Sequence, residues 1–260
     1  MQSNDQLDRT FNFPQIPKRI VSLVPSQTEL LVDLGLRNRL VGITKFCVHP
    51  DSLRSEIEVV GGTKQINFER IKALQPDIII CNKEENTKEM VFQLEELAPV
   101  WISDVVSIQS SLDLIERLGE LFSVEEKSQE LKLQIQQEMD WFSESMHHIS
   151  FKKVAYIIWK NPYMAAGRDT FINELLQLNK FDNVLTDPTS RYPEVDHELL
   201  NKAELVLLSS EPYTFKESHV SELKNALQKE VRLVDGEYFS WYGSRLRDAF
   251  AYFKTLQESL

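Results

Sequence analysis

The stretch 123–146, SVEEKSQELKLQIQQEMDWFSESM, decides how this chain of 260 residues is organised. It contains no Gly and no Pro, and its apolar positions recur at spacings of three, four and seven, as on one face of an α-helix. These positions are Val124, Leu131, Ile135, Met139, Phe142 and Met146. Ser123 stands where an N-cap would stand, and Glu126 would complete a capping box. The pattern predicts an amphipathic helix of roughly 35 Å.

Strand and helix patterns alternate on both sides of this helix. Before it, short apolar runs at 19–24, 40–44, 77–81 and 99–102 are typical of buried strands, and helical segments separate them. After it, similar runs occur at 153–159, 205–208 and 231–234. Continuous apolar strands indicate parallel sheets covered on both faces. The helix is then either a rigid connector between two lobes or a surface helix of a single domain.

A repeat favours the two-lobe interpretation. Residues 67–80 and 196–208 each read as a capped short helix followed directly by an apolar strand. A duplicated unit interrupted by a long helix is hard to fit into one sheet. We therefore predict two Rossmann-like α/β lobes, 1–106 and 151–260, joined by a helical connection at 107–150. Two lobes imply a ligand cleft between them, beyond the carboxyl ends of the strands.

Composition excludes several classes of protein. Lys and Arg total 29 against 40 Asp and Glu, giving a net charge of −11, and no basic patch interrupts the acidic sequence, so we expect no nucleic-acid partner. No apolar run approaches the ~20 residues that span a bilayer, so we expect no integral membrane protein. The first residues show no signal peptide, which predicts either a mature form or a cytosolic protein.

The loops after the strands are rich in aromatic residues, which have no core position to fill there. The segment 238–242 is the densest case. These rings either contact a ligand or pack a satellite core.

Metal and enzyme motifs are weak. Cys47 and His49, with Asp51 nearby, could approach a metal, but a closed zinc site would need four ligands. Cys47 lacks the partners of a Cys–His hydrolase, although an enzyme using Cys47 is one alternative. No GxSxG, HExxH or Walker sequence occurs. We expect no enzyme, no intrinsic cofactor and no certain metal site.

Glu69 and Glu198 occupy the same place in the two halves, each in the first turn of its short helix. A carboxylate there is most simply a capping group. Their equivalence also suits a partner with approximate twofold symmetry, because such a partner would need the same patch twice.

A family resemblance covers nearly the whole chain. The run RIVSLVPSQTEL at 19–30, the strand at 41–44, the segment 67–80, Pro162 with 167–175, and 193–199 are similar to the class III substrate-binding proteins of ABC importers. This family is also called the helical backbone metal receptors, and the similarity is greatest to its cobalamin-binding members. The resemblance implies two α/β lobes joined by one rigid helix, with a metal chelate such as a corrinoid, siderophore or haem held between them.

The resemblance also assigns residues. The aromatic contact after the second strand falls on Phe46, and later contacts fall near Trp159, Tyr192, Tyr238 and Trp241. Two pocket tryptophans of the cobalamin binders fall on Thr63 and Asn82, so part of that wall is missing. With the other strand-end side chains, the expected ligand-binding set is Ser26, Phe46, Cys47, His49, Trp159, Tyr163, Tyr192, Tyr238, Trp241, Tyr242 and Arg245. Cys47 or His49 would supply an axial contact to the metal.

The implied partner is an ABC importer permease dimer, and the two glutamates that dock onto permease arginines fall on Glu69 and Glu198. We expect a monomer in the periplasm or on the cell surface, carrying cobalamin or another corrinoid as transported ligand. The alternatives are a siderophore or haem carrier for an importer, and a cytosolic chelate carrier or sensor with no permease.

Overall fold

The computed structural model describes residues 1–187 and 189–260, which form two compact units. Unit 1 comprises Met1–Val105, Gln109–Ile135 and Tyr242–Arg245. Unit 2 comprises Val106–Ile108, Gln136–Trp241 and Leu246–Leu260. The chain therefore returns to unit 1 for four residues near its end. The predicted three-part division at 106 and 150 stays a prediction.

Unit 1 is built on a five-stranded parallel sheet with the strand order β5-β4-β3-β6-β7. An antiparallel hairpin, β1 with β2, precedes it. The strands are β1 (Gln2–Asn4), β2 (Thr10–Asn12), β3 (Ile20–Ser22), β4 (Leu40–Ile43), β5 (Glu58–Val59), β6 (Ile78–Asn82) and β7 (Val100–Ser103). The helices are α1 (Pro25–Asp33), α2 (Leu53–Glu56), α3 (Phe68–Ala73), α4 (Lys88–Leu94) and α5 (Ile108–Phe122), with a 3-10 turn at Arg37–Arg39. Every residue of β6 is buried, as its continuous apolar run predicts.

The predicted long helix is α6 (Glu125–Ser145), which begins in unit 1 and ends in unit 2. Its 21 residues give a length of about 31 Å. Four of the six predicted apolar positions are buried, namely Leu131, Ile135, Phe142 and Met146. The predicted amphipathic helix is therefore confirmed.

The predicted N-cap of this helix is wrong. Ser123 has a φ of 54° and closes the preceding helix α5 instead. Its N–H donates to the carbonyl of Glu120, and the N–H of Val124 donates to that of Gly119, which is the bonding pattern of a Schellman C-cap. Because α6 begins only at Glu125, Ser123 and Glu126 form no capping box.

Unit 2 contains a parallel sheet of order β10-β8-β11-β12, with β9 added antiparallel to β8. Its strands are β8 (Lys152–Trp159), β9 (Met164–Ala165), β10 (Phe181–Asn183), β11 (Leu205–Ser209) and β12 (Glu230–Val234). Its helices are α7 (Phe171–Leu178), α8 (His197–Leu200), α9 (Glu217–Leu227), α10 (Gly236–Ser240) and α11 (Leu246–Glu258). The rings of Phe250 and Phe253 lie 5.9 and 6.0 Å from that of Phe142, which joins the second half of α6 to the core of this unit.

Each unit thus carries its own parallel sheet and its own buried cluster, and the predicted α/β fold class is confirmed. Among the helices of the described residues, none is both long and apolar enough to cross a membrane. The carboxyl ends of the parallel strands are the edges at which ligands bind in sheets of this kind.

Candidate functional site

A surface groove lies at the carboxyl ends of β8 and β11, which are neighbours in the sheet of unit 2. Its volume is about 590 Å³, within the range of small-molecule sites. Trp159, the last residue of β8, is 41% exposed there. The other lining residues follow β11 or begin α9, and they are Pro212, Tyr213, Thr214, Lys216, Ser218 and His219.

Aromatic rings form one wall of this groove. The Trp159 and Tyr213 rings meet edge to face with centroids 5.6 Å apart, and the Tyr213 ring lies 4.7 Å from that of Phe215. Phe215 is buried and belongs to the core of unit 2. The core therefore holds Tyr213 in place, and Tyr213 in turn supports an exposed Trp159. Such a wall suits the flat face of an aromatic or macrocyclic ligand.

Polar groups form the other side. The N–H of Lys216 donates to Nδ1 of His219 at 3.0 Å, so the first turn of α9 fixes the imidazole. Lys160 lies beside the groove, but its ammonium is bound to Glu222 at 2.5 Å. This ion pair raises the pKa of Lys160 and lowers the pKa of Glu222.

In unit 1, Phe46 is an exposed aromatic residue beyond the carboxyl end of a strand. Phe46 follows β4 and is 49% exposed. The ammonium of Lys45 lies over its ring, 5.0 Å from the ring centroid. His49 lies in the same loop near the carboxyl of Glu29, where burial raises the pKa and His49 opposes that rise. Phe46 and His49 thus occupy the strand-end position that the sequence predicts for ligand contacts.

Two other predicted contacts of unit 1 sit inside it. Ser26 and Tyr242 are buried, and the Tyr242 hydroxyl accepts a hydrogen bond from the side-chain amide of Gln27 at 2.9 Å. Burial raises the pKa of Tyr242. Asn82, onto which the resemblance places a missing pocket tryptophan, is also buried and donates to the Ser103 hydroxyl at 3.0 Å. The bond from Gln27 ties the return segment Tyr242–Arg245 to unit 1, and none of these side chains forms an exposed surface.

Cys47 is likewise a core residue. Its thiol is fully buried, donates to the Thr28 hydroxyl at 3.2 Å and lies 3.3 Å from the Thr44 hydroxyl. Burial raises the pKa of the thiol, which disfavours the thiolate that metal binding or nucleophilic attack requires. The placement gives no support to Cys47 as a ligand contact or axial ligand. In the part of the chain that the structure describes, no three His, Cys, Asp or Glu side chains are grouped as a metal site.

Arg245 forms an ion pair with Glu29 across 2.8 Å, and both side chains are largely covered. Burial raises the pKa of Glu29, although Arg245 and His49 both act in the opposite direction. The guanidinium of this predicted ligand-binding residue is therefore already engaged with a carboxylate of α1.

The sequence analysis places the aromatic segment 238–242 in a loop, and this prediction is wrong. Most of the segment belongs to the helix α10, which Asp235 caps. Tyr238 stacks on Tyr252 with centroids 4.6 Å apart, and Trp241 is 8% exposed. The Tyr238 ring thus packs within unit 2, which is the alternative that the sequence left open. Tyr163 and Tyr192 are half-buried, and Tyr163 lies near Lys160 and Tyr213.

Glu69 and Glu198 are both exposed and occupy equivalent local structures. Asn67 caps α3 and Asp196 caps α8, each glutamate lies in the first turn, and a fully buried strand, β6 or β11, follows. The predicted structural equivalence is confirmed, and the docking role stays a prediction.

Sequence reasoning missed Tyr213, Lys216 and His219. The segment 210–219 directly follows β11, so the rule that strand ends carry function already pointed to it. Its single tyrosine was less conspicuous than the run of four aromatics at 238–242.

Half-buried Glu85 was missed as well; it lies close enough to Tyr242 to raise the pKa of that phenol. Burial and the neighbouring Glu84 raise the pKa of Glu85, while Lys64 acts in the opposite direction.

Residues 20–211 match the sequence profile of the periplasmic binding protein family. Among curated relatives, an uncharacterised ABC transporter substrate-binding lipoprotein of Bacillus subtilis, YvrC, is 26% identical over 205 residues, or 76% of this chain and 65% of its own length. The vitamin B12-binding protein of Yersinia pestis is 26% identical over 198 residues, or 75% of this chain and 70% of its own length. The match thus spans just under two thirds of the Bacillus relative.

Two solved structures share the fold. The periplasmic vitamin B12 binding protein BtuF of Vibrio cholerae superposes with a TM-score of 0.80 at 21% identity, covering 95% of this chain and 98% of its own. The periplasmic heme-binding protein RhuT of Roseiflexus has a TM-score of 0.80 at 18% identity, covering 93% and 98%. At these identities the similarity establishes the architecture alone.

Proposed function

The chain belongs to the periplasmic binding protein family, and from this premise we propose that it captures a metal chelate outside the cytoplasm and delivers it to an ABC importer. The chelate is cobalamin or another corrinoid, with haem or a ferric siderophore as the alternative. Relatives described as binding vitamin B12 and heme support this class of ligand.

One observation carries the proposal. In each unit, a large aromatic side chain is exposed directly beyond a strand of the parallel sheet, Phe46 after β4 and Trp159 at the end of β8. Exposed aromatics cost free energy in water unless a partner covers them. A corrin or porphyrin offers a flat apolar face of the kind such rings contact. The predicted cleft between the lobes stays a prediction.

Delivery would use the exposed carboxylates. Glu69 and Glu198 occupy repeated positions in the two units, and a permease dimer presents its own arginines twice. Charged contacts of this kind speed association and fix orientation more than they add affinity.

A thermal unfolding screen of the whole chain tests the proposal. Hemin, cyanocobalamin and a ferric siderophore are added separately at about 100 µM. For a chelate with a Kd near 1 µM, saturation stabilises the folded chain by about 2.7 kcal/mol, which corresponds to a Tm increase of roughly 5–10 °C at this size. If none of the three raises the Tm, the chain is not a receptor for these chelates.

A further inference from the structure

The charge of the groove in unit 2 differs from that of the whole protein. The chain carries a net charge of −11, yet the seven residues that line the groove include Lys216 and His219 and no carboxylate. Glu217 adjoins Lys216 in sequence but is not among the lining residues. The groove therefore combines an aromatic wall with basic and donor groups in an otherwise acidic molecule.

The tautomer of His219 follows from its hydrogen bond. Because Nδ1 accepts the N–H of Lys216, it carries no proton, and the ring proton lies on Nε2. A metal bound at Nε2 would displace that proton to Nδ1, where it would meet the Lys216 N–H. His219 is thus arranged to donate a hydrogen bond rather than to coordinate a metal.

Lys216 supplies the positive charge. Its side chain is exposed, and no carboxylate pairs with it among the ion pairs of residues 1–187 and 189–260. Lys160 differs, since Glu222 already neutralises it. An ammonium and an imidazole N–H at one end of an aromatic wall favour a ligand with a flat body and an anionic edge.

We propose that this groove binds the carboxylate-bearing edge of the transported chelate, with Trp159 and Tyr213 against the flat part and with Lys216 and the Nε2–H of His219 donating to the carboxylate. This inference rests on the proposed function. It narrows that function by selecting chelates with free carboxylates, such as haem, over cobalamin, whose ring side chains are neutral amides, and therefore favours the haem or siderophore alternative. It also assigns His219 to the edge of the ligand rather than to its metal.

A fragment titration of the full chain tests the groove directly. NMR follows the Trp159 indole N–H while 2-naphthoate, or its neutral isostere 2-naphthamide, is added. We expect 2-naphthoate to bind in the millimolar range and 2-naphthamide to bind about three- to fivefold more weakly, the ratio typical of an exposed ion pair. K216M should abolish the difference, because methionine keeps the apolar stem and removes the charge.

Two controls separate charge in the groove from general effects. K224M removes the same charge two turns further along α9 and should leave the ratio unchanged. H219A should weaken 2-naphthoate about threefold, and H219Q should restore it, because the Gln amide nitrogen can replace the Nε2–H. Absence of 2-naphthoate binding, equal binding of both fragments, or equal effects of K216M and K224M would overturn the inference.

The chelate screen distinguishes this inference from the function on which it rests. If hemin, which carries two carboxylates, binds the wild type and K216M equally, the edge assignment is wrong while the receptor function stands. If 2-naphthoate behaves as expected and no chelate raises the Tm, the receptor function fails although the carboxylate preference of the groove holds.

Discussion

Replacing Trp159 with Ala should weaken chelate binding by about tenfold. A tryptophan side chain presents up to about 250 Å², and Trp159 is 41% exposed, which leaves about 100 Å² for a ligand to cover. At about 25 cal/mol per Å², complete coverage is worth about 2.5 kcal/mol, or roughly 70-fold in Kd. Coverage of one face, about half the area, gives the expected tenfold.

The matched control is Trp141→Ala. Trp141 lies on α6 and is 49% exposed, so the substitution removes the same side chain with a similar accessible area. Calorimetry should show tenfold weaker binding for W159A and unchanged binding for W141A, with both variants unfolding within a few degrees of the wild type. Equal losses of affinity in the two variants would refute the assignment of Trp159 to the ligand site.

Three further predictions follow from other parts of the molecule. The double variant E69A/E198A should weaken association with the cognate permease about three- to tenfold and reduce the salt dependence of that association, while the chelate affinity stays unchanged. Surface plasmon resonance measures the association. The control is E89A/E125A, which removes first-turn glutamates of α4 and α6. Because the pKa of Glu85 is raised, its folded form binds a proton more readily than the unfolded chain, and this contribution to stability is lost as pH rises through the raised pKa. E85Q should therefore raise the Tm at pH 8 and have little effect near pH 4. E84Q removes only the lesser contribution of the neighbouring charge to the raised pKa of Glu85, so its pH dependence should be much smaller. An equal effect of E85Q at both pH values would contradict the burial argument. F142A should cost about 3–5 kcal/mol in urea unfolding, since Phe142 is fully buried among aromatic rings, and a loss below about 1 kcal/mol would show that α6 is not anchored there.

The fold could be predicted because its signals are local. The strand β6 is a continuous apolar run, and the helix after Asn67 begins with a cap that accepts the N–H of Arg70. The error at Ser123 shows the limit of local motifs. A Ser followed three residues later by Glu fits the sequence pattern of a capping box. The backbone N–H groups of Ser123 and Val124, however, donate to carbonyls of the preceding helix.

The site was harder to predict because sheet pairing assembles it. Trp159 and Tyr213 are 54 positions apart and meet only because β8 pairs with β11. The buried thiol of Cys47 likewise bonds Thr28, which lies in another element, α1. Sequence spacing showed that these residues follow strands, but it could not show which of them face the core.

A calorimetric titration of the intact chain with hemin, cyanocobalamin and a ferric siderophore tests the central claim most directly. The account predicts that at least one of them binds with a stoichiometry of one per chain and a Kd of about 1 µM or lower, and that W159A weakens that same interaction. Absence of heat for all three at 100 µM, or binding that W159A leaves unchanged, would contradict it.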